Sequence, residues 1–287
     1  MSVTWSAVLL SQGDRPVELR AAVDSLLAQQ DVSLEVIVVG NGWDPVGLPD
    51  GVRTVYLKKN LGIPKGRNKG VRETKGKYLY FLDDDAMLPE ADTVARVERM
   101  FVEKAHLGMV QTRISSPGGV TAKRWVPRMR DKDPLRSSEV FSVLEGSVAV
   151  RKRALSNASG WASRFFYAHE GIELAWRVWD AGYTVEYRAD LVAHHPLVDP
   201  ARHDDQLWLN ARNRVWLAKR NLPCPVAVAY VVNWTAVSVL RNIRHPASTG
   251  AWLKGAGNGI RTDGGKRRPM SWRTVWAMTK RGRPPII

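Results

Sequence analysis

Apolar residues come in short runs closed by polar turns, and the runs alternate with stretches of helical spacing. Residues 3–10 read as a first strand ending in the turn Ser11-Gln12-Gly13-Asp14-Arg15-Pro16. A helix is predicted next, because Pro16 fits a first turn and Leu19, Val23, Leu26 and Leu27 recur on one face. Residues 34–39 and 52–57 give two further strands, the first closing in Gly40-Asn41-Gly42. Tyr78-Leu79-Tyr80-Phe81-Leu82 has no polar alternation, the pattern of a strand buried on both faces. It runs straight into Asp83-Asp84-Asp85. A helix over 91–104 and a strand over 107–114 follow, then residues 115–138, which are rich in Ser, Gly, Pro and charge and read as a long loop of the kind that forms a substrate lid. Residues 140–150 are apolar but broken by Glu145-Gly146-Ser147, where a glycine lets a ligand approach the backbone. Ile172, Leu174, Ala175, Val178 and Trp179 mark a helix that Gly182 ends, and residues 183–187 and 191–196 read as strand segments, the latter carrying His194 and His195. Strands alternating with helices predict an α/β fold with a mostly parallel sheet flanked by helices.

Three sites in this pattern carry candidate chemistry. Carboxylates at the end of a buried strand repel one another, and oxygen ligands of that kind suit Mg²⁺ or Mn²⁺, although a bare Asp triplet is also an ordinary acidic turn. Lys65, Arg67 and Lys69 crowd the start of a helix near Pro64, where unpaired amides already favour anions; the alternative is a solvated basic face balanced by Glu73. Glu170 and Glu173 open the helix that ends at Gly182. Acids there are normal capping, but Phe165, Phe166, Tyr167 and Trp176 around them would desolvate a carboxylate towards the range of a general base.

Composition narrows the class. At 287 residues with 44% hydrophobic and 25% charged positions, the chain is long enough to bury a full core and is not disordered in bulk. One cysteine, Cys224, excludes an intramolecular disulfide framework and any CxxC zinc pattern. No secretory leader is read at the start, which fits a cytoplasmic location. The net charge of +15 is concentrated in residues 241–287, which hold eleven Lys or Arg and one acid, Asp263. There Trp252, Trp272 and Trp276 mix with the bases, a composition suited to an anionic membrane surface or to nucleic acid. Residues 226–240 are apolar but shorter than a membrane span and contain Asn233, Thr235 and Ser238.

Taken together, the nucleotide strand, the Asn-x-Gly and Arg-Asn-x-Gly segments, the hydrophobic strand into Asp-x-Asp, the acidic helix start and the strand ending in His resemble the family 2 inverting glycosyltransferases of GT-A type. The resemblance covers roughly residues 3–216. It implies a Rossmann-like GT-A catalytic domain over about 1–200, with a nucleotide-sugar half to about 115 and an acceptor half from about 116, and a helical, basic and aromatic extension over 201–287. It assigns the donor site to Asn41, Arg67, Asn68, Asp83, Asp84 and Asp85, with Asp83, Asp85 and His194 around a Mg²⁺ or Mn²⁺ ion and His195 exchanging with His194 if the register slips by one. Gly40 stands where the family usually has Asp. Gly171 stands where the family's usual catalytic Asp would be, so Glu170 inherits the role of base, with Glu173 in reserve. The implied partners are a UDP-, dTDP- or GDP-linked sugar and a glycan or lipid-linked acceptor in cell-envelope synthesis, with peripheral membrane attachment through the tail. The competing readings are a non-catalytic module binding membrane or nucleic acid, and a nucleotidyltransferase of related fold.

Overall fold

A computed structural model describes residues 3–128, 131–197 and 206–286. In chain order its elements are β1 (Trp5–Ser11), α1 (Pro16–Leu27), β2 (Leu34–Asn41), β3 (Arg53–Leu57), α2 (Ile63–Arg72), β4 (Tyr78–Asp83), α3 (Thr93–Glu103) and β5 (Leu107–Ser115). There follow β6 (Ser138–Glu139), β7 (Ser147–Arg151), α4 (Lys152–Asn157), α5 (Glu170–Asp180), β8 (Thr184–His194), α6 (Gln206–Asn221), α7 (Cys224–Arg241), α8 (Pro246–Arg261) and α9 (Trp272–Lys280). The helical extension expected over 201–287 begins, within the described residues, with α6 at Gln206.

The strands form one sheet in the order β3-β2-β1-β4-β7-β5-β8-β6. β1, β2, β3 and β4 are mutually parallel, as their βαβ spacing predicts. β7 runs antiparallel to both β4 and β5, and β6 antiparallel to β8. The two strand segments expected over 183–196 are one strand, β8, whose register against β5 shifts between Thr112 and Arg113. That irregularity explains the broken look of the sequence, because a bulge changes which residues face the core.

Each face of the sheet has its own core. On one side Trp5, Leu9, Tyr78 and Tyr80 meet Leu19, Val23 and Leu26 of α1 and Val94, Val97 and Phe101 of α3. On the other, Val8, Ile37, Leu79 and Phe81 meet Leu155 of α4 and Leu174 and Val178 of α5. A third cluster joins Phe165 and Trp176 to Trp216, Leu217, Tyr230, Met270 and Met278, so the C-terminal helices are fixed against α5 and the loop before it. α7, at 18 residues and a mean hydropathy of 1.3, is long and apolar enough to cross a membrane by length and composition alone.

The strand order reverses between β1 and β4. In open α/β sheets the carboxyl ends of strands at such a reversal splay apart into a ligand crevice. Asp83 ends β4 at that crevice.

Leu9→Ala, at a fully buried position in the middle of β1, should cost about 2–5 kcal/mol in urea unfolding, whereas Val17→Ala on the exposed face of α1 should stay within about 0.5 kcal/mol.

Candidate active site

The Asp cluster divides its three side chains among three environments. Asp83 accepts from Arg67 Nη2 at 2.8 Å. Asp85 is held on one side by the Arg15 guanidinium and on the other by His195 Nε2 at 3.1 Å. Burial opposes the charge of Asp85, but His195 and Arg15 overcome it and its carboxyl lies below the usual carboxylate range. Burial likewise disfavours the His195 imidazolium, and Asp85 and Asp83 reverse that, so His195 is shifted up. Asp84 turns back towards Ser11 and Arg15, and burial pushes it up to about 6, so it is a packed carboxyl at the end of β1 rather than a donor contact.

One ligand atom each from Asp83, Asp85 and His195 lies within 4.8 Å of the others. Two carboxylates and an imidazole are a donor set that fits Mn²⁺ or Mg²⁺. The histidine at this point is His195 and not His194. His194 is the last residue of β8, where its backbone pairs with Met87, and successive side chains of an extended chain point to opposite faces.

The Arg-Asn-x-Gly segment spreads over three tasks. Arg67, 3% exposed, reaches Asp83 and the Glu145 carbonyl while its guanidinium lies 5.0 Å from the Trp161 ring; its Nη1 has no partner. Asn68 donates to the Trp161 carbonyl at 2.8 Å and to Ser163 Oγ at 2.9 Å, and accepts from the Trp161 amide at 3.0 Å. Its amide is thereby spent on stapling α2 to the segment after α4, which removes it from the donor contacts. Gly70 seats α2 on the sheet, since a Cβ there would meet Val8 at 2.6 Å. Asn41 is also structural: it donates to Asn60 Oδ1 and accepts from the Leu61 amide, both at 2.8 Å, and is 3% exposed. At Gly40 a Cβ would stand 2.0 Å from the Trp43 carbonyl, so the loop folds back over the place where the family's Asp would project.

Beside Arg67 and Asp83 opens a cavity of about 340 Å³, lined also by Glu145, Tyr167, Glu170 and His195. Glu170 is the first residue of α5, 3% exposed, and its Oε2 has no partner. Burial pushes its carboxyl up, Asp83 adds to the shift and Arg67 partly offsets it. Glu145 is pushed up to about 8, first by burial and then by Glu170. The residue that lets the two carboxyls share this space is Gly171. A Cβ at that position would lie 2.0 Å from Glu145 Oε1, so the Glu145 carboxyl occupies the volume that a side chain at 171 would take. The sequence shows Glu145 only as a break in an apolar run and Arg15 only as a turn residue, whereas His195 was the alternative to His194; the usable signal for Glu145 was the coincidence of an unexpected Gly at 171 with a Glu just before a buried strand.

Glu173 does not reach the cavity. It is fully buried and pairs with Arg177, its neighbour one turn along α5, and with Arg220 Nη2 of α6 at 3.0 Å. Nearly one turn further along α5 than Glu170, it is taken up by Arg177 and Arg220, so it ties helices together and is no reserve base.

The loop that delivers Glu170 is strained. Phe166, Ala168 and His169 have φ of 65°, 72° and 69°, a region that costs non-glycine residues of order 1–3 kcal/mol each. Asn213 of α6, fully buried, donates its amide to the carbonyls of Phe165, Tyr167 and Ala168, and Arg212 donates to Phe165 O at 3.0 Å. The C-terminal helices therefore hold the loop before Glu170 in shape.

The profile of Glycosyl transferase family 2 matches residues 14–157, half of the chain. The chain belongs to that family. An uncharacterized glycosyltransferase of Rickettsia prowazekii (strain Madrid E) is 38% identical over 72 residues, a match covering 23% of this chain and 23% of that protein. Residues 1–349 of S. aureus TarS superpose with a TM-score of 0.65 at 13% identity, covering 90% of this chain and 80% of that one. The mannosyltransferase PcManGT of Pyrobaculum calidifontis gives 0.55 at 14% identity, covering 98% and 80%. At these identities the structural likeness shows the GT-A fold, and the family 2 profile ends before α5.

Two measurements check this geometry. Because Glu145 and Glu170 bind protons more tightly folded than unfolded, they favour the folded state below their usual value of 4.5, and that contribution is lost as pH rises towards about 8. The melting temperature of wild type should fall over that window and the fall should flatten in Glu145→Gln. Glu173→Gln, which leaves Arg177 and Arg220 without their shared charge, should destabilise by roughly 3–5 kcal/mol in denaturant titration.

Proposed function

We propose that the protein moves a sugar from a nucleoside-diphosphate sugar to an acceptor hydroxyl with inversion, using Glu145 and Glu170 as a carboxyl pair that takes the acceptor's proton. The observation that carries this reading is the pair itself, desolvated beside Arg67 and Asp83 in the cavity at the strand-order reversal. The S. aureus TarS fold has been captured with UDP-GlcNAc and PcManGT with GDP-Man and Mn²⁺, which supports the donor class here.

The charges define the steps. Burial raises both carboxyls, and ionising one disfavours ionising the other, so the pair gives up its protons stepwise and its ionised member is the base. That carboxylate accepts the acceptor's hydroxyl proton as the oxygen attacks the anomeric carbon. The bond from that carbon to the diphosphate oxygen breaks on the opposite face, and the electron pair leaves with the nucleoside diphosphate. Arg67, with Nη1 unpaired, and Arg15, at the mouth of the Asp cluster, are the cations of this chain placed to meet the growing negative charge. A divalent ion, Mg²⁺ or Mn²⁺, would be held by Asp83, Asp85 and His195 and would add positive charge at the same point. The transferred unit is a hexosyl or deoxyhexosyl group in our reading, and the setting is cell-envelope glycan synthesis at the inner face of the membrane. We assign catalysis to residues 1–200 and surface attachment to residues 201–287, the latter also supplying Asn213 to the catalytic loop.

A panel of UDP-, dTDP- and GDP-sugars with Mn²⁺, Mg²⁺ or EDTA should show release of nucleoside diphosphate; pyrophosphate release instead would make the protein a nucleotidyltransferase. Glu145→Gln and Glu170→Gln should each lower transfer by about 10²–10⁴-fold with donor binding retained, while Asp85→Ala should lose both. Wild-type turnover in Glu145→Gln removes that residue from the mechanism.

A further inference from the structure

Asn41 is the inner end of a chain of three side-chain amides. Its Oδ1 accepts from the Leu61 amide and its Nδ2 donates to Asn60 Oδ1, both at 2.8 Å, and Asn60 Nδ2 in turn donates to Gln12 Oε1 at 2.7 Å. Asn60 Oδ1 also accepts from the Gly62 amide at 2.8 Å. A side-chain amide can ordinarily be turned over, exchanging its donor and acceptor ends. Here two backbone N–H groups forbid it. Turning Asn41 would set its NH₂ against the Leu61 N–H, turning Asn60 would set its NH₂ against the Gly62 N–H and Asn41 Nδ2, and turning Gln12 would bring two NH₂ groups face to face. The polarity therefore runs one way, from the backbone just before α2 out to Gln12. That residue is exposed, and its Nε2 ends the relay as a donor.

The relay lies where a nucleoside has room. Gln12 directly follows β1, and three residues later on the same loop Arg15 holds Asp85. On the transferase reading the diphosphate sits at Asp83, Asp85, Arg15 and Arg67. The carboxyl cavity takes the ground on one side of that point, lined from β4, from the end of β5 and from the approach to β7. The nucleoside is left with the carboxyl ends of β1 and β2, which carry Gln12 and Asn41. Position 40, where the family usually has an acid, offers none, and the Trp43 carbonyl stands 2.0 Å from where its Cβ would be. A Cβ at Gly13 would in turn lie 2.5 Å from the Trp43 ring, so the loop that carries Gln12 is pressed flat onto the loop after β2.

A fixed donor discriminates among the bases. Uracil and thymine carry a carbonyl oxygen at C4 and guanine one at C6, whereas cytosine and adenine carry an amino group at the same positions. A carbonyl accepts from Gln12 Nε2. An amino group meets it donor to donor, and each then loses water without gaining a partner.

We propose that Gln12, fixed as a donor through Asn60 and Asn41, selects nucleoside-diphosphate sugars whose base presents a carbonyl oxygen and turns away those with an amino group in its place. The inference rests on the transferase reading and adds to it the residue that chooses the donor. Asn41 and Asn60 are positioning residues, acting on the base through Gln12.

The test is calorimetric titration of the full chain with UDP, CDP, GDP and ADP in Mn²⁺, which compares two carbonyl–amino pairs. The tighter of UDP and GDP should exceed its amino counterpart about tenfold or more. Gln12→Glu keeps the size of the side chain and removes its donors, so that ratio should fall below one; the added charge weakens every diphosphate alike and leaves the ratio as the quantity to read. Asn60→Asp, also at an exposed position, keeps the acceptor for Gly62 and Asn41 but makes its outer end an acceptor too. Gln12 should then turn over and present Oε1, inverting the preference with Gln12 itself intact. Equal binding within both pairs, or a carbonyl preference that survives Gln12→Glu, overturns the proposal. A preference lost in Gln12→Glu but unchanged in Asn60→Asp overturns the relay. Absence of binding by all four nucleotides removes the transferase reading itself, whereas equal binding removes this inference alone.

Discussion

The site is governed by an excess of negative charge, partly withdrawn from water, at the carboxyl end of β4. Asp83, Asp85, Glu145 and Glu170 converge where Arg15, Arg67 and His195 are the neighbouring cations. The compensation is uneven. Arg15 and His195 are committed to Asp85, and Arg67 to Asp83, so the two glutamates are left with little beyond the distant pull of Arg67. Burial then decides their protonation, since an unpaired carboxylate in a low-dielectric cavity is costlier than its acid. A raised carboxyl pKa is a liability for stability and an asset for proton transfer, and the arrangement keeps the liability by confining it to one cavity.

What the rest of the fold does is hold that arrangement against relaxation. The loop from Phe165 to His169 passes through left-handed conformations at three non-glycine residues, each of them costly on its own. Asn213 offsets that cost from α6 by donating to the carbonyls of Phe165, Tyr167 and Ala168, and the Glu173 ion pair anchors α5 to the same helix. The C-terminal helices thus act on the chemistry through backbone hydrogen bonds, beyond any contact they make with a surface.

The sequence carried the scaffold well and the site unevenly. The parallel strands β1 to β4 were legible because each is a short apolar run closed by a turn, and the Asp cluster was legible because charge at the end of such a run is conspicuous. β7 was not, because an antiparallel insertion between β4 and β5 leaves no trace in periodicity. Asn41 and Asn68 match a motif by position, yet their amides are consumed by Asn60, Leu61, Trp161 and Ser163, a fact set by partners nineteen to ninety-five residues away. His194 and His195 differ by one step of a strand, and a one-residue register ambiguity reverses the face. Glu145 was hidden for a similar reason: only the Cβ clash at Gly171 links the two positions, and that link exists in space alone.

A second cavity, lined by Arg214, Arg241 and Arg283 among others, shares a wall of Val143, Leu144 and Ile172 with the carboxyl cavity, and the two charge imbalances, opposite in sign, would cancel if they met. His169 stands between them. It lines the carboxyl cavity next to Glu170, and burial, then the repulsion of Arg214, holds its imidazole well below the usual range, so it is neutral. A cation in its place would pair with Glu170 and pull that carboxyl down; an anion would pair with Arg214 and quench the neighbouring cavity. A neutral, strained residue at the start of α5 therefore keeps a buried carboxyl pair and an arginine-lined hollow apart without letting either satisfy the other.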